Sequence, residues 1–210
     1  YNLSNKKSIF EDDFINPLSA YGETKYAVEK LLSNIYFSSK EWKIANLRYF
    51  NPIGSHESGL LGEDPKSIPS NIYPRILQVA IGNSKEIQIY GKDWPTKDGT
   101  AVRDYIHVMD LAEAHISVLE YLNDNEPQVL TLNVGTGQPT TVLELINTFQ
   151  EVNKIKIPYI FTVRRPGDYG LVVANVSRVE RLLKWKAKRS IKQMCIDGWS
   201  WQKNYPNGYV

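Results

Sequence analysis

The sequence predicts an α/β fold containing parallel sheet. Three observations carry this. Short apolar runs rich in β-branched and aromatic residues alternate along the chain with longer segments whose apolar residues recur at helical spacing. The connections between them carry Gly, Pro and Asn. Alternation of this kind, rather than a block of strands followed by a block of helices, is the signature of α/β architecture.

The elements follow in order. Residues 1–18 read as loop, closed by Asn16-Pro17. Ser19 is placed to cap a helix over about 20–39, in which Val28, Leu31, Leu32, Ile35 and Tyr36 fall at helical spacing. Residues 43–50 (KIANLRYF) read as a buried strand, and 51–70 as a long loop. Residues 71–82 form a helix stopped at Gly82-Asn83. Residues 86–90 alternate as a strand, and 91–100 (GKDWPTKDGT) are turn-rich. Residues 102–108 read as one short strand, after which Asp110 caps a helix to about Leu122. A strand over 129–134 runs into Gly135-Thr136-Gly137. Thr140 or Thr141 opens a helix to about Asn153. A strand over 159–163, a loop over 164–170 and an extended stretch over 171–175 lead to two closing helices, near 177–185 and 191–205.

The 210 residues include 25 basic and 23 acidic side chains, a net charge of +2. With no basic run and no apolar stretch near the ~20 residues of a membrane helix, the balance points away from nucleic acid and membrane as partners. The single cysteine, Cys195, cannot form an internal disulfide, so a reducing, cytoplasmic setting is expected. Cys195 itself reads as a small buried apolar residue. His56, His107 and His115 share no metal-ligand spacing and read as structural or surface residues; no metal is expected. Gly135-Thr136-Gly137 lacks the third glycine and the downstream acid of a dinucleotide loop and reads as a turn.

Chemistry concentrates elsewhere. Tyr21 and Lys25 stand at i and i+4 at the start of a helix, which puts both on one face. A free Tyr titrates near 10 and is a poor base at neutral pH. Bringing it toward 7 takes about 4 kcal/mol of preferential phenolate stabilisation. An ammonium one turn away and a helix N-terminus both act in that direction. Tyr49-Phe50-Asn51-Pro52 follows a strand, where α/β proteins bind ligands, although it is also an ordinary strand exit. Arg103-Asp104-Tyr105 and Arg164-Arg165-Pro166-Gly167-Asp168 each offer a guanidinium suited to a diphosphate. An Arg–Asp pair closed within each motif is the structural alternative.

Taken together and in order, these runs resemble one family. Tyr21–Lys25 is similar to the active-site helix of the extended short-chain dehydrogenase/reductase superfamily. LRYFNPIG over 47–54, Gly62-Glu63-Asp64-Pro65, GTAVRDYIHVMDLA over 99–112 and Arg165-Pro166-Gly167-Asp168 resemble the UDP-glucose 4-epimerases, across essentially the whole chain. The resemblance implies the C-terminal part of a Rossmann-like NAD-binding fold plus a smaller α/β substrate lobe. Residues 1–50 would be the remainder of the NAD-binding domain with the catalytic helix. Residues 51–210 would be mainly the substrate lobe, with strands and helices returning to the Rossmann-like sheet.

The same resemblance implies site roles. Tyr21 would take the proton of the sugar 4-hydroxyl while hydride passes between C4 and NAD. Lys25 would assist it and bond the nicotinamide ribose. Tyr49 and Phe50 match positions near the nicotinamide. Asn51, Asn71 and Ile72 match nucleotide-sugar contacts, and Gln88, Ile89 and Tyr90 the stretch near uracil. Arg103, Arg165 and Asp168 match diphosphate and ribose contacts. Val172 occupies a gate position that is Tyr in some members, leaving room for an N-acetyl group. A homodimer facing the Tyr21 helix is implied as well. Family members carry, ahead of this stretch, a glycine-rich NAD-binding segment and a catalytic Ser/Thr that these residues do not include. The isolated chain is therefore expected to be inactive, with an exposed sheet edge. A dehydratase or decarboxylase of the same superfamily, or a non-catalytic remnant, are the alternative readings.

Overall fold

The computed structural model describes residues 8–17, 19–67 and 69–209. Of the expected N-terminal loop, residues 1–7 and 18 lie outside the described residues. The described part of that loop is partly ordered against the sheet. Ile9 is buried, its N–H donates to the Val173 carbonyl at 2.8 Å, and its own carbonyl accepts from Asn175 N at 2.8 Å.

Helix α1 (Ala20–Ser38) begins where expected, with Ser19 Oγ accepting from Gly22 N at 3.1 Å. It leads into β1 (Ile44–Tyr49) and, after a single residue, β2 (Asn51–Ile53). The expected loop after residue 50 therefore starts with a strand. Helix α2 (Ile72–Ala80) and strand β3 (Ile87–Tyr90) follow. The run expected as one strand over 102–108 is two, β4 (Val102–Arg103) and β5 (Tyr105–His107), interrupted at Asp104. Helix α3 (Val108–Asp124) is capped by His107, not Asp110: His107 Nδ1 accepts from Met109 N at 3.0 Å. Asp110 is buried in the first turn, where it takes the Arg189 guanidinium at 2.6 Å and the Arg189 N–H at 3.0 Å. A long-range cation thus claims the side chain that local spacing assigned to the cap.

Strand β6 (Val129–Val134) and the two-residue β7 (Thr140–Thr141) precede α4 (Val142–Asn153). Thr141 and Glu144 close a reciprocal capping box at its start. Strands β8 (Tyr159–Thr162) and β9 (Leu171–Val172) and helices α5 (Ser177–Leu183) and α6 (Ile191–Asn204) complete the chain. Among the described residues no helix is long and apolar enough to cross a membrane.

Among the described residues the pairings β1–β6, β2–β5, β3–β8 and β4–β9 are parallel, and only β4–β7 is antiparallel. The architecture is Rossmann-like α/β, and two cores sit on either side of β5. Tyr105 packs into one, with Tyr73, Ile76, Phe149 and Cys195 from α2, α4 and α6. Ile106 packs into the other, with Val118, Leu132, Val134 and Val179 from α3, β6 and α5. Alternation along a strand sends neighbouring side chains to opposite faces, so this short strand joins both cores. Cys195 is fully buried, and burial pushes its thiol up to about 12, which leaves it an apolar packing residue. His56 and His115 hold local contacts, to Ser58 and to the Leu111 carbonyl. Among the described residues no group of three or more His, Cys, Asp or Glu side chains could hold a metal ion.

Candidate active site

The chain changes sheets between residues 50 and 51. Phe50 N donates to the Val134 carbonyl of β6 at 3.0 Å, and Asn51 N to the Asp104 carbonyl beside β5 at 3.0 Å. Parallel strands that part in this way open a crevice beyond their carboxyl ends, the usual ligand position in α/β sheets. Two cavities meet there. One, of about 490 Å³, is lined by Lys25, Glu29, Arg48, Tyr49, Phe50 and Val172 among others. The second, of about 360 Å³, is lined by Asn71, Ile72, Gln88, Ile89, Tyr90, Arg103, Arg165 and Asp168 among others. Asn51, Pro166 and Gly167 line both, so the cavities are halves of one groove. Every expected nucleotide-sugar position except Val172 lies in the second half; Val172 lies in the first, the half that Lys25 also lines.

Tyr21 is 69% exposed and is not among the residues lining either half of the groove. The Lys25 ammonium stands 5.0 Å from the centroid of the Tyr21 ring, as their one-turn spacing requires. Gly22 sits between them against Pro17, and a Cβ there would come 3.1 Å from the Pro17 Cβ.

The second half is a basic recess. The Arg165 guanidinium stacks on the Tyr90 ring, 3.8 Å from its centroid. Arg165 and then Arg75 hold the Tyr90 hydroxyl below its ordinary range. The Tyr90 hydroxyl donates to Gln88 Oε1 at 3.1 Å. Arg103 does not pair within its own motif. It pairs with Asp168 of the other motif, and its Nη1 donates to the Val102 and Tyr169 carbonyls at 2.9 and 2.8 Å. This rules out the structural alternative of an Arg–Asp pair closed within each motif, because Asp104 points elsewhere. Its carboxylate accepts from Thr136 N and Oγ1, Gly137 N and Ala174 N. The Gly135-Thr136-Gly137 turn therefore cradles an anion belonging to the protein, and those amides are not open to a pyrophosphate.

Several groove residues were not among the expected site positions. Arg75 and Tyr105 line the second half, and Glu29 and Arg48 the first. The Tyr105 hydroxyl is buried without a hydrogen-bond partner among the described residues, as are the Trp185 and Trp201 indole N–H groups away from the groove. Arg48 had a legible signal, since a guanidinium in a buried strand requires a partner.

Lys25, Tyr49 and Phe50 line an open cavity next to the basic recess, the position at which the nicotinamide end of NAD is expected. Known proteins share this fold. UDP-glucose 4-epimerase 4 of Oryza sativa subsp. japonica is 47% identical over 208 residues, 99% of this chain and 56% of the rice protein. The crystal structure of the Stenotrophomonas maltophila UDP-glucose 4-epimerase with bound NAD and formylated UDP-arabinopyranose superposes with a TM-score of 0.93 at 43% identity. It is matched over 96% of this chain and 60% of that one. The Bifidobacterium longum UDP-glucose 4-epimerase in complex with NAD+ and UDP gives 0.92 at 42%, over 98% and 61%. The chain thus spans less than two thirds of the length of the relatives it matches. The family model described as GDP-mannose 4,6 dehydratase matches residues 2–197, and with the fold and groove described above it establishes that the chain belongs to that family.

Proposed function

We propose that this chain forms the catalytic helix and nucleotide-sugar lobe of an NAD-dependent UDP-glucose 4-epimerase, which interconverts UDP-glucose and UDP-galactose. The observation that carries the reading is the single groove in which Lys25, Tyr49 and Phe50 adjoin a recess lined by Arg75, Arg103 and Arg165 through the shared residue Asn51. Bound NAD supplies the hydride acceptor at the sugar C4. Tyr21 removes the 4-hydroxyl proton, and the Lys25 ammonium favours the phenolate and bonds the nicotinamide ribose. Arg165 and Arg103, the latter steadied by Asp168, face the diphosphate and ribose. Asn71, Ile72, Gln88, Ile89 and Tyr90 face the rest of the uridine. The titration of the Tyr90 hydroxyl below its ordinary range by two arginines reflects the positive field that a diphosphate would enter.

Val172 is small for a gate, and we extend the proposal to the N-acetyl forms of the same substrates. A homodimer through α1 is supported by the exposure of Val28, Leu31 and Phe37 on a helix with no buried residue. Sedimentation of the protein as a monomer would count against it.

Turnover is expected once the chain is joined to a glycine-rich dinucleotide segment like that of its longer relatives, and not in the 210 residues alone. The test is product analysis on UDP-glucose with the joined protein and its Tyr21→Phe variant. UDP-galactose from the first and a loss of at least 100-fold in the second are expected. A 4-keto-6-deoxy product would identify a dehydratase instead. Submicromolar NAD binding by the 210 residues alone, read by isothermal titration, would overturn the assignment of the cofactor's adenine half to another segment.

A further inference from the structure

Glu29 lies one helical turn beyond Lys25 on α1, a spacing at which carboxylate and ammonium reach each other. Lys25 nevertheless has no carboxylate partner among the described residues; its ammonium stands over the Tyr21 ring. The reason comes from β1. Arg48 Nε donates to Glu29 Oε1 at 2.8 Å and Arg48 Nη2 to Glu29 Oε2 at 2.6 Å, so both carboxylate oxygens are taken by one planar fork. A third bond, from Arg48 Nη1 to the Glu11 carbonyl at 2.9 Å, anchors the guanidinium from the far side. The two side chains are 16% and 22% exposed, so water competes weakly for either. A bidentate guanidinium holds a carboxylate better than a single mobile ammonium does. Lys25, Glu29 and Arg48 all line the same cavity.

We propose that Arg48 is a positioning residue for the proton-transfer end of the groove: it sequesters the Glu29 carboxylate and so keeps the Lys25 ammonium uncompensated beside Tyr21. The charged and titratable groups that face this end are Lys25, Tyr26 and Glu29 from α1, Arg48 and Tyr49 from β1, and Tyr169 from the loop before β9. Of these, Glu29 is the only carboxylate, and Arg48 is what neutralises it. The inference rests on the reading of Tyr21 and Lys25 as a base and its electrostatic partner, and it adds a switch that the reading does not contain. Without Arg48, Glu29 captures Lys25.

The test follows the titration of the Tyr21 hydroxyl by NMR of protein labelled at tyrosine Cζ, with Tyr21→Phe identifying the signal. In Arg48→Met the Tyr21 midpoint is expected to move up by roughly half a pH unit, the effect of cancelling one charge about 6 Å away in water-like surroundings. In Arg48→Met with Glu29→Gln it is expected to return to the original value. At the same time the Lys25 side-chain resonance moves in the first variant and returns in the second. A role of Arg48 in packing alone would shift neither signal reversibly. An unchanged midpoint in Arg48→Met, or one that stays raised when Glu29 is also neutralised, overturns the proposal. Should Arg48→Met fail to fold, Arg48→Lys, which can engage one oxygen and free the other, is expected to shift the midpoint by a smaller amount, and no shift overturns it. The titration needs no turnover, so a chain that behaves as stated while the joined protein fails to epimerise would refute the functional reading and leave this one standing.

Discussion

Asp104 offers a sharp test of how the groove is held together. Its carboxylate is fully buried and accepts four hydrogen bonds from two segments, the 136–137 turn and Ala174. One oxygen takes Thr136 N at 2.8 Å and Thr136 Oγ1 at 2.6 Å. The other takes Gly137 N at 2.9 Å and Ala174 N at 3.1 Å. Burial pushes this carboxyl above its ordinary value, and the hydroxyl and amide donors pull against it. Asp104→Asn keeps the shape but turns one oxygen into a donor. Either orientation of the amide then faces two donors with a donor. Two charge-assisted bonds are lost, at about 1.5–3 kcal/mol each, and two donors are left unsatisfied. The expected destabilisation is about 3–5 kcal/mol. With a urea m-value near 2 kcal/mol/M, the midpoint falls by about 1.5–2.5 M. The assay is urea unfolding followed by tryptophan fluorescence and far-UV circular dichroism, whose transitions must coincide for the two-state treatment to hold. A loss below about 1 kcal/mol would refute the view that this site requires two acceptor oxygens.

Three further outcomes are expected. His107 Nδ1 accepts from Met109 N, so the ring proton sits on Nε2 and donates to Asp197 at 3.1 Å. Burial holds His107 below its ordinary value against the pull of Asp197. Below about pH 6.5 the unfolded chain therefore binds the proton more readily, so stability falls as pH drops through that window and is flat above it. His107→Asn, which keeps a capping acceptor, should remove this component when urea midpoints are compared between pH 7.5 and 5. Thr141→Ala removes the cap of α4, where Thr141 Oγ1 accepts from Glu144 N at 3.0 Å, and should cost about 1–2 kcal/mol in the same assay, with Thr141→Ser recovering most of it. Gly198→Ala places a methyl on the Tyr73 hydroxyl, which is fixed by its bond to the Met194 carbonyl at 3.0 Å. A loss of about 1–3 kcal/mol is expected, partly relieved by adding Tyr73→Phe.

Much of this molecule was legible in its sequence where local chemistry decides. The start of α1 follows from Ser19, and β1 and β6 from their apolar runs. Thr141 followed by Glu144 is a capping box visible in the letters alone. The failures share a cause, which is competition from distant partners. Residues 102–108 read as one strand because nothing local interrupts them; the break at Asp104 is imposed by donors at Thr136, Gly137 and Ala174. Asp110 has the side chain of a helix cap, but Arg189, 79 positions away in sequence, claims it, and His107 caps in its place. The arginine motifs were found, yet their pairing was not, because Arg103 reaches Asp168 across 65 positions. Glu29 was readable at i+4 from Lys25, but its true partner lies on a strand, outside any helical rule.

These long-range ties bear on how the two halves of the groove keep their separation. Tyr49, Phe50 and Asn51 occupy the step at which the chain leaves β6 for β5, and the bonds on either side of that step run to different sheets. The step is not a free hinge. Asn51 N is tied to the Asp104 carbonyl, while the Asp104 carboxylate is tied to the turn that follows β6. One residue therefore bridges both sheets across the point where they part. The alternation of Tyr105 and Ile106 locks the same strand into both cores. The separation of Tyr49 from Arg103 is thus set by packed sheet and buried hydrogen bonds. The loop over 164–170 then adds Arg165 and Asp168 to the recess. A substrate whose reacting carbon and diphosphate lie a fixed distance apart needs that arrangement, since placing both ends at once is what converts binding into orientation.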